Sequence, residues 1–356
     1  MKKKFKKVRY LFEYIAVMPV YIFVRLLPLK GVYLLATVIG SIFYYIYPKA
    51  KKLIIANLSI AFPEKSPKEL KKIAKKNCSN TILMLLEFFW FINRHDKLLS
   101  RLTMDPKIEE ALIKCNIEKR GVIWVTPHIG NWEVARIAQT SLDAIKMAVV
   151  ARPLNNPHLN KLFNFGREAD GSTVIPSKGA VKGMINAMKN GLLIATLIDQ
   201  NTRARDGGMF VDFFGLPVCT SRAPAMFGRK FNAYLAVGGA VRKPGYKYET
   251  FLKLLPKEAK DYESDEALIS DLMKLTEEVI REYPEQYLWL YERWCYIPET
   301  SSEEKKGKYP YYSKEVTPRF YSEKISRGVS FEDLKKDELK KKEMSNENIS
   351  GNGQSS

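Results

Sequence analysis

Between residues 121 and 245 short apolar runs alternate with amphipathic stretches, and this alternation leaves the chain few architectures. The runs are Gly121–Val125, Met147–Ala151, Gly191–Ile198 and Tyr234–Val241, while helical spacing occupies Glu133–Ser141, Pro157–Ala169 and Lys178–Asn190. Short continuous apolar runs suit strands buried on both faces, the condition in a parallel sheet covered by helices. Parallel neighbours need a crossover, and the intervening stretches supply one. The expectation is an α/β fold with a mostly parallel central sheet flanked by helices. Residues 248 to 256 read as a further strand and Asp265 to Tyr283 as a helix.

In such a sheet, ligands bind beyond the carboxyl ends of the strands. The first run ends in Thr126-Pro127-His128-Ile129-Gly130-Asn131-Trp132-Glu133, where Pro127, Gly130 and Asn131 mark a turn. Five positions of separation place His128 and Glu133 on different faces of one helix. They meet only if His128 lies in the loop before the helix and Glu133 in its first turns. Glu133 is then expected to hold one ring nitrogen of His128 while the other faces a substrate, the dyad form of general-base catalysis. Backbone amides near Gly130 and Asn131 are candidate oxyanion donors.

Two more blocks end apolar runs on the same expected rim. Arg152-Pro153-Leu154-Asn155-Asn156-Pro157 offers Arg152 to a phosphate or an oxyanion, unless it is a loop arginine paired with a carboxylate. Asp199-Gln200-Asn201 offers Asp199 to a sugar hydroxyl or to Arg152, with Gln200 beside it; the plainer reading of Asp199 is a turn or N-cap residue. Gly207 to Pro217 is an aromatic segment bounded by glycines, whose Phe213 and Phe214, with Trp132, are candidates to line an acyl channel; it reads equally as a core hairpin. No phosphate-binding glycine loop and no Gly-x-Ser-x-Gly elbow is present. A zinc site using His128 and His158 lacks helical i, i+4 spacing and an evident third ligand, so no metal is expected.

The chain carries 58 Lys and Arg against 39 Asp and Glu, a formal charge of +19. That excess calls for an anionic partner: a bilayer, an acidic carrier protein or a nucleic acid. The N-terminus favours the bilayer. Lys2, Lys3, Lys4, Lys6, Lys7 and Arg9 precede an apolar region from Tyr10 to Tyr47, which Lys49, Lys51 and Lys52 follow. Each half of the region falls near or short of the roughly 20 residues of a full crossing. It reads as a membrane-embedded helical pair or one tilted anchor, with a buried soluble pair as the alternative. Stacking aromatics and repeated basic grooves of a nucleic-acid module are not evident. The four cysteines, Cys78, Cys115, Cys219 and Cys295, have no metal or CxxC spacing and read as reduced thiols. The expected division is an anchor over 1–48, a catalytic domain over 49–300, and a charged, largely disordered tail over 301–356.

Taken in order, these blocks resemble the late acyltransferases of lipid A biosynthesis, the lauroyl/myristoyl group, over about residues 10 to 298. His128 to Glu133 matches that family's His-x4-Asp/Glu motif, and Arg152 to Pro157 and Asp199-Gln200 look like its next two blocks. Phe213-Phe214-Gly215-x-Pro217-x-x-Thr220 is similar to the segment that follows. Asn57-Leu58, Ala61 to Glu64 and Gln286 to Trp294 also match. Asn201, where an acidic residue is often found, and Arg222, where many members have a small one, depart from the pattern and bear on acceptor choice. The resemblance implies a glycerolipid-acyltransferase-like fold and no cofactor. It implies a donor thioester on acyl carrier protein or coenzyme A, and a phosphorylated glycolipid acceptor at the cytoplasmic face of the inner membrane, among anionic lipids. His128 and Glu133 would be catalytic, with no acyl-enzyme, so Cys219 needs no role. Related mannolipid acyltransferases share the His-x4-Glu core, which leaves the acceptor open.

Overall fold

The computed structural model describes residues 2–141, 146–168, 171–177 and 179–322. Four helices open the chain: α1 (Lys2–Leu26), α2 (Leu29–Ile46), α3 (Pro48–Ala61) and α4 (Pro67–Phe91), and the other three all pack on α4. The Ser66-Pro67-Lys68-Glu69 signal starts α4 as the sequence implies: the Ser66 backbone N–H donates to Glu69 Oε2 at 2.8 Å and the Ser66 hydroxyl accepts from the Glu69 amide. The all-round apolar stretch near the end of α4 is buried from Leu86 to Ile92. It is covered by α2, which runs along α4 so closely that a side chain at Gly40 would stand 2.4 Å from the Ser79 backbone. Outward, α1 and α2 expose Phe12, Ile15, Phe23, Leu34, Ile42 and Ile46, and most of the exposed large hydrophobics of the described residues belong to these two helices. Of the two, α2 is long and apolar enough to cross a membrane.

After α5 (His95–Leu99), β1 (Leu102–Thr103) and α6 (Pro106–Ile117) the sheet begins in earnest. It alternates as read, with one short strand that the apolar runs did not mark, β4 (Thr173–Pro176): β2 (Val122–Val125), α7 (Trp132–Thr140), β3 (Met147–Ala151), α8 (Pro157–Glu168), β4, α9 (Ala180–Lys189) and β5 (Leu193–Thr196). The glycine-bounded aromatic segment is an antiparallel hairpin, β6 (Gly208–Phe213) and β7 (Leu216–Ser221), followed by α10 (Ala223–Phe231), β8 (Tyr234–Lys243), β9 (Lys247–Leu254) and α11 (Asp265–Glu282). The seven-stranded sheet has the order β1-β9-β8-β2-β5-β3-β4, parallel except where β9 meets β8. The mixed α/β, mostly parallel architecture is the one expected. Strand β2 is central and buried on both faces: Ile123 and Val125 belong to the core under α4, α10 and α11, while Val122 and Trp124 pack towards α6. Full burial of a side chain this size contributes about 1.5–3 kcal/mol.

The tail boundary needs correction. Residues 301–322 continue the fold through α12 (Glu303–Lys306), β11 (Lys314–Glu315), which pairs with β10 (Tyr296–Ile297), and α13 (Pro318–Tyr321). Aromatic side chains hold them down: Phe320 stacks on Phe210, and the Tyr309 hydroxyl donates to the Pro217 carbonyl at 2.8 Å. The remainder of the expected tail, 323–356, lies outside the described residues.

Candidate active site

Strands β2 and β5 are parallel neighbours, with Val125 opposite Thr196. Three residues beyond each of these partners stand His128 and Asp199. Equal travel past a shared register brings them together: His128 Nδ1 is 2.7 Å from Asp199 Oδ1, and the His128 backbone N–H donates to Asp199 Oδ2 at 2.7 Å. Asp199 is 2 % exposed. Burial alone would raise its carboxyl pKa; the His128 ring and amide, with the Arg293 guanidinium nearby, outweigh burial and hold it below the ordinary carboxylate value. An ionised carboxylate only accepts, so it selects the His128 tautomer protonated at Nδ1. Nε2 then carries the lone pair, and the Gln200 side-chain amide lies 3.1 Å from it. Trp132 sets its ring edge-on to the imidazole at 4.9 Å between centroids.

The turn carrying His128 is pinned on both sides. Leu288 N–H donates to the His128 carbonyl at 2.9 Å, Gly130 N–H to the Gln286 carbonyl at 3.0 Å, and Asn131 N–H to the Ala240 carbonyl at 3.1 Å. Buried Asn57 and Asn77, from α3 and α4, grip carbonyls of the same 285–291 segment. Gly130 has φ +57°, and a Cβ there would lie 2.0 Å from the Ala240 oxygen. Gly130→Ala is therefore expected to destabilise the protein by about 2 kcal/mol or more; a thermal unfolding midpoint equal to the parent's would contradict this. The amides of Gly130 and Asn131 are consumed by these bonds, which corrects their assignment as oxyanion donors. The Asn131 side chain is buried as well, and its Oδ1 caps α7 by accepting from the amides of Glu133 and Val134.

Glu133 does not hold the imidazole, which corrects the expected dyad geometry. Its Oε2 accepts from Arg136 Nε at 3.1 Å, and its Oε1 from Arg167 Nε and Nη2 at 3.0 and 2.7 Å. Burial favours the neutral acid, but the guanidinium groups of Arg167 and Arg136 prevail and keep its pKa below the ordinary value. Arg136 lies three residues along the same helix, so a helical ion pair was visible in the sequence; Arg167 comes from α8 and was not.

A cavity of about 940 Å³ opens at this rim. His128, Trp132, Glu133, Arg152 and Gln200 line it, together with apolar Ala135, Val149, Leu154, Phe163 and Leu197. That size and mixture suit an apolar chain with a polar head. Among the described residues no carboxylate pairs with Arg152; Asp199 is engaged with His128 instead, so the Asp199–Arg152 alternative is not formed. Phe213 and Phe214 are core residues, against Trp294, Tyr287 and Trp289, and do not line the cavity; the hairpin reading of their segment is the right one. His158 rests against Tyr14 and also lies off the cavity, and among the described residues no three His, Cys, Asp or Glu side chains group as metal ligands. Burial pushes the Cys219 and Cys295 thiols up to about 12 and about 11, so neither is a thiolate nucleophile at neutral pH.

The pattern describing the bacterial lipid A biosynthesis acyltransferases matches residues 1–295. The chain is 27% identical over 278 residues to the lipid A biosynthesis lauroyltransferase of Escherichia coli K12, covering 77% of this chain and 88% of that one. It is 26% identical over 274 residues to the lipid A biosynthesis palmitoleoyltransferase of the same organism, covering 75% and 86%. A lipid A biosynthesis acyltransferase of Shigella flexneri matches equally, at 26% over 274 residues. With a match spanning most of its length, the chain belongs to the bacterial lipid A biosynthesis acyltransferase family and is an enzyme that transfers acyl groups.

Proposed function

We propose that the protein transfers a fatty acyl group from a thioester, on acyl carrier protein or coenzyme A, to a hydroxyl of a lipid A precursor or related phosphorylated glycolipid. The observation that carries this reading is a histidine whose Nδ1 is held by a buried carboxylate while Nε2 faces a partly apolar cavity. Nε2 takes the proton of the acceptor hydroxyl, displacing the Gln200 amide. The oxygen attacks the thioester carbonyl carbon, and the tetrahedral oxyanion collapses with loss of the C–S bond. The imidazolium, paired with Asp199, returns its proton to the departing thiolate, so an ester and a free thiol leave. No acyl-enzyme and no cofactor are required. Gln200 and Arg152, both in the cavity lining, would donate to the oxyanion or to an acceptor phosphate. Glu133 serves by holding Arg136 and Arg167 in the cavity wall.

The exposed apolar sides of α1 and α2 support attachment to the inner membrane. Lys51 stands over Tyr44 and Lys75 over Tyr45 near the end of α2, as suits the anionic headgroups of a cytoplasmic leaflet. Asn156 ties α1 to the Arg152 block through the Tyr10 carbonyl, at 2.8 Å, and Glu13, so the lipid-facing helices adjoin the loop beside the cavity.

Replacing His128 by Ala removes the base and is expected to abolish transfer of a radiolabelled acyl chain from its thioester to the glycolipid, with thermal unfolding unchanged. Turnover within tenfold of the parent would refute the base. Mass spectrometry of glycolipids from cells lacking the protein is expected to show the loss of one acyl-chain mass.

A further inference from the structure

A third buried acid lies behind the site, and the mechanism above gives it no chemical role. Glu87, on α4, is 0 % exposed. Arg242 at the end of β8 clasps it with Nε and Nη2 at 3.0 and 2.6 Å, and the Tyr248 hydroxyl donates to Oε1 at 2.6 Å. A further contact reaches the reaction centre: Asn131 Nδ2 donates to Glu87 Oε2 at 2.8 Å. We infer that Glu87 is a positioning residue for acyl transfer, fixing the Asn131 amide and through it the turn that presents His128. The inference rests on the acyl-transfer reading.

A side-chain amide has one accepting end and one donating end, and only the surroundings choose which way it points. Here the oxygen must face α7 to cap the amides of Glu133 and Val134. A carboxylate on the other side accepts only, so it enforces that choice. A neutral amide at position 87 can present either end, and the Asn131 amide then loses its fixed sense. The consequence passes to His128 by a short path. Asn131 N–H is bonded to the Ala240 carbonyl, Arg242 N–H to Gln286 Oε1, Gln286 Nε2 to the Arg242 carbonyl, and the Gln286 carbonyl takes Gly130 N–H. Glu87 thus closes a ring of bonds that includes β8 and the 285–291 segment, which flank the turn. Displacement of a reacting group by an ångström lowers rates by about 100-fold, and the substrate cavity itself contains neither Glu87 nor Asn131.

The test is a cycle of variants in the full-length protein, with acyl transfer from a radiolabelled thioester to glycolipid as readout. Glu87→Gln is expected to lower kcat by about 100-fold with KM within threefold. Asn131→Asp alone, which sets two carboxylates against each other, is expected to fall at least as far. The combination Glu87→Gln with Asn131→Asp reverses donor and acceptor across the same contact and is expected to regain at least tenfold over either single variant. Glu87→Gln also leaves buried Arg242 without its counter-charge, so its unfolding midpoint is expected to fall; a role in folding alone produces that fall without this split between kcat and KM. The inference is overturned if Glu87→Gln keeps kcat within threefold, if KM carries the loss, if the two losses simply add in the combination, or if none of the variants folds. A parent protein that transfers no acyl chain overturns the reading beneath it, and the inference with it.

Discussion

Asp199→Asn is expected to lower acyl transfer by about 10³- to 10⁴-fold while the protein remains folded. Asp199 accepts two hydrogen bonds from one residue, from the His128 backbone amide at Oδ2 and from Nδ1 at Oδ1. An asparagine has a single oxygen. If that oxygen keeps the backbone amide, its NH2 group confronts Nδ1 as a donor, and the imidazole must accept there. The ring proton moves to Nε2, which loses the lone pair the acceptor hydroxyl requires. The size and packing of the side chain barely change, so stability should fall little in comparison with rate. Kinetics with an acyl thioester, alongside circular dichroism and thermal unfolding, separate the two. Activity within tenfold of the parent would show that the carboxylate does not set the tautomer, and would return the question of what orients His128 to Glu133.

That question arises because sequence and structure divide the site differently. Five of the seven sheet strands, their order along the chain and the rim that carries His128, Arg152 and Asp199 are legible as apolar runs ending in turn residues; the short β1 and β4 are not. Lateral strand order is not. Nothing in the runs says that β5, rather than β3, lies beside β2, and only that adjacency sets Asp199 against His128. The spacing to Glu133 is local and easily seen, so it attracted the partnership that a distant strand actually supplies. Phe213 and Phe214 were misplaced for a similar reason. An aromatic pair reads alike whether it lines a channel or fills a core, and the difference lies in Trp289 and Trp294, far along the chain. Residues 301–322 looked like tail because their composition is charged, yet four well-placed aromatics, Tyr309, Tyr312, Phe320 and Tyr321, anchor them.

Glu133→Gln provides the complementary measurement, and its largest effect is expected in stability. The carboxylate neutralises Arg136, which is buried, and Arg167, which is mostly so. Leaving a buried charge without its partner costs about 3–5 kcal/mol, so the variant should unfold at markedly lower temperature or denaturant near pH 7. The sign of the pH dependence follows from the direction of the shift. The folded pKa of Glu133 lies below its ordinary value of 4.5. Its contribution is therefore fully present above that value and is lost as pH falls through the folded pKa. The stability gap between parent and variant should hold steady from pH 8 to about 5 and close progressively below about pH 4. Activity should decline as well, because both arginines stand in the cavity wall. The distinguishing result is rescue: Arg167→Met, added to Glu133→Gln, removes one unpaired cation and should recover part of the lost stability. Equal stability of parent and Glu133→Gln across pH 5 to 8, with activity gone, would mean that Glu133 acts on His128 during turnover rather than as the clamp on two guanidinium groups.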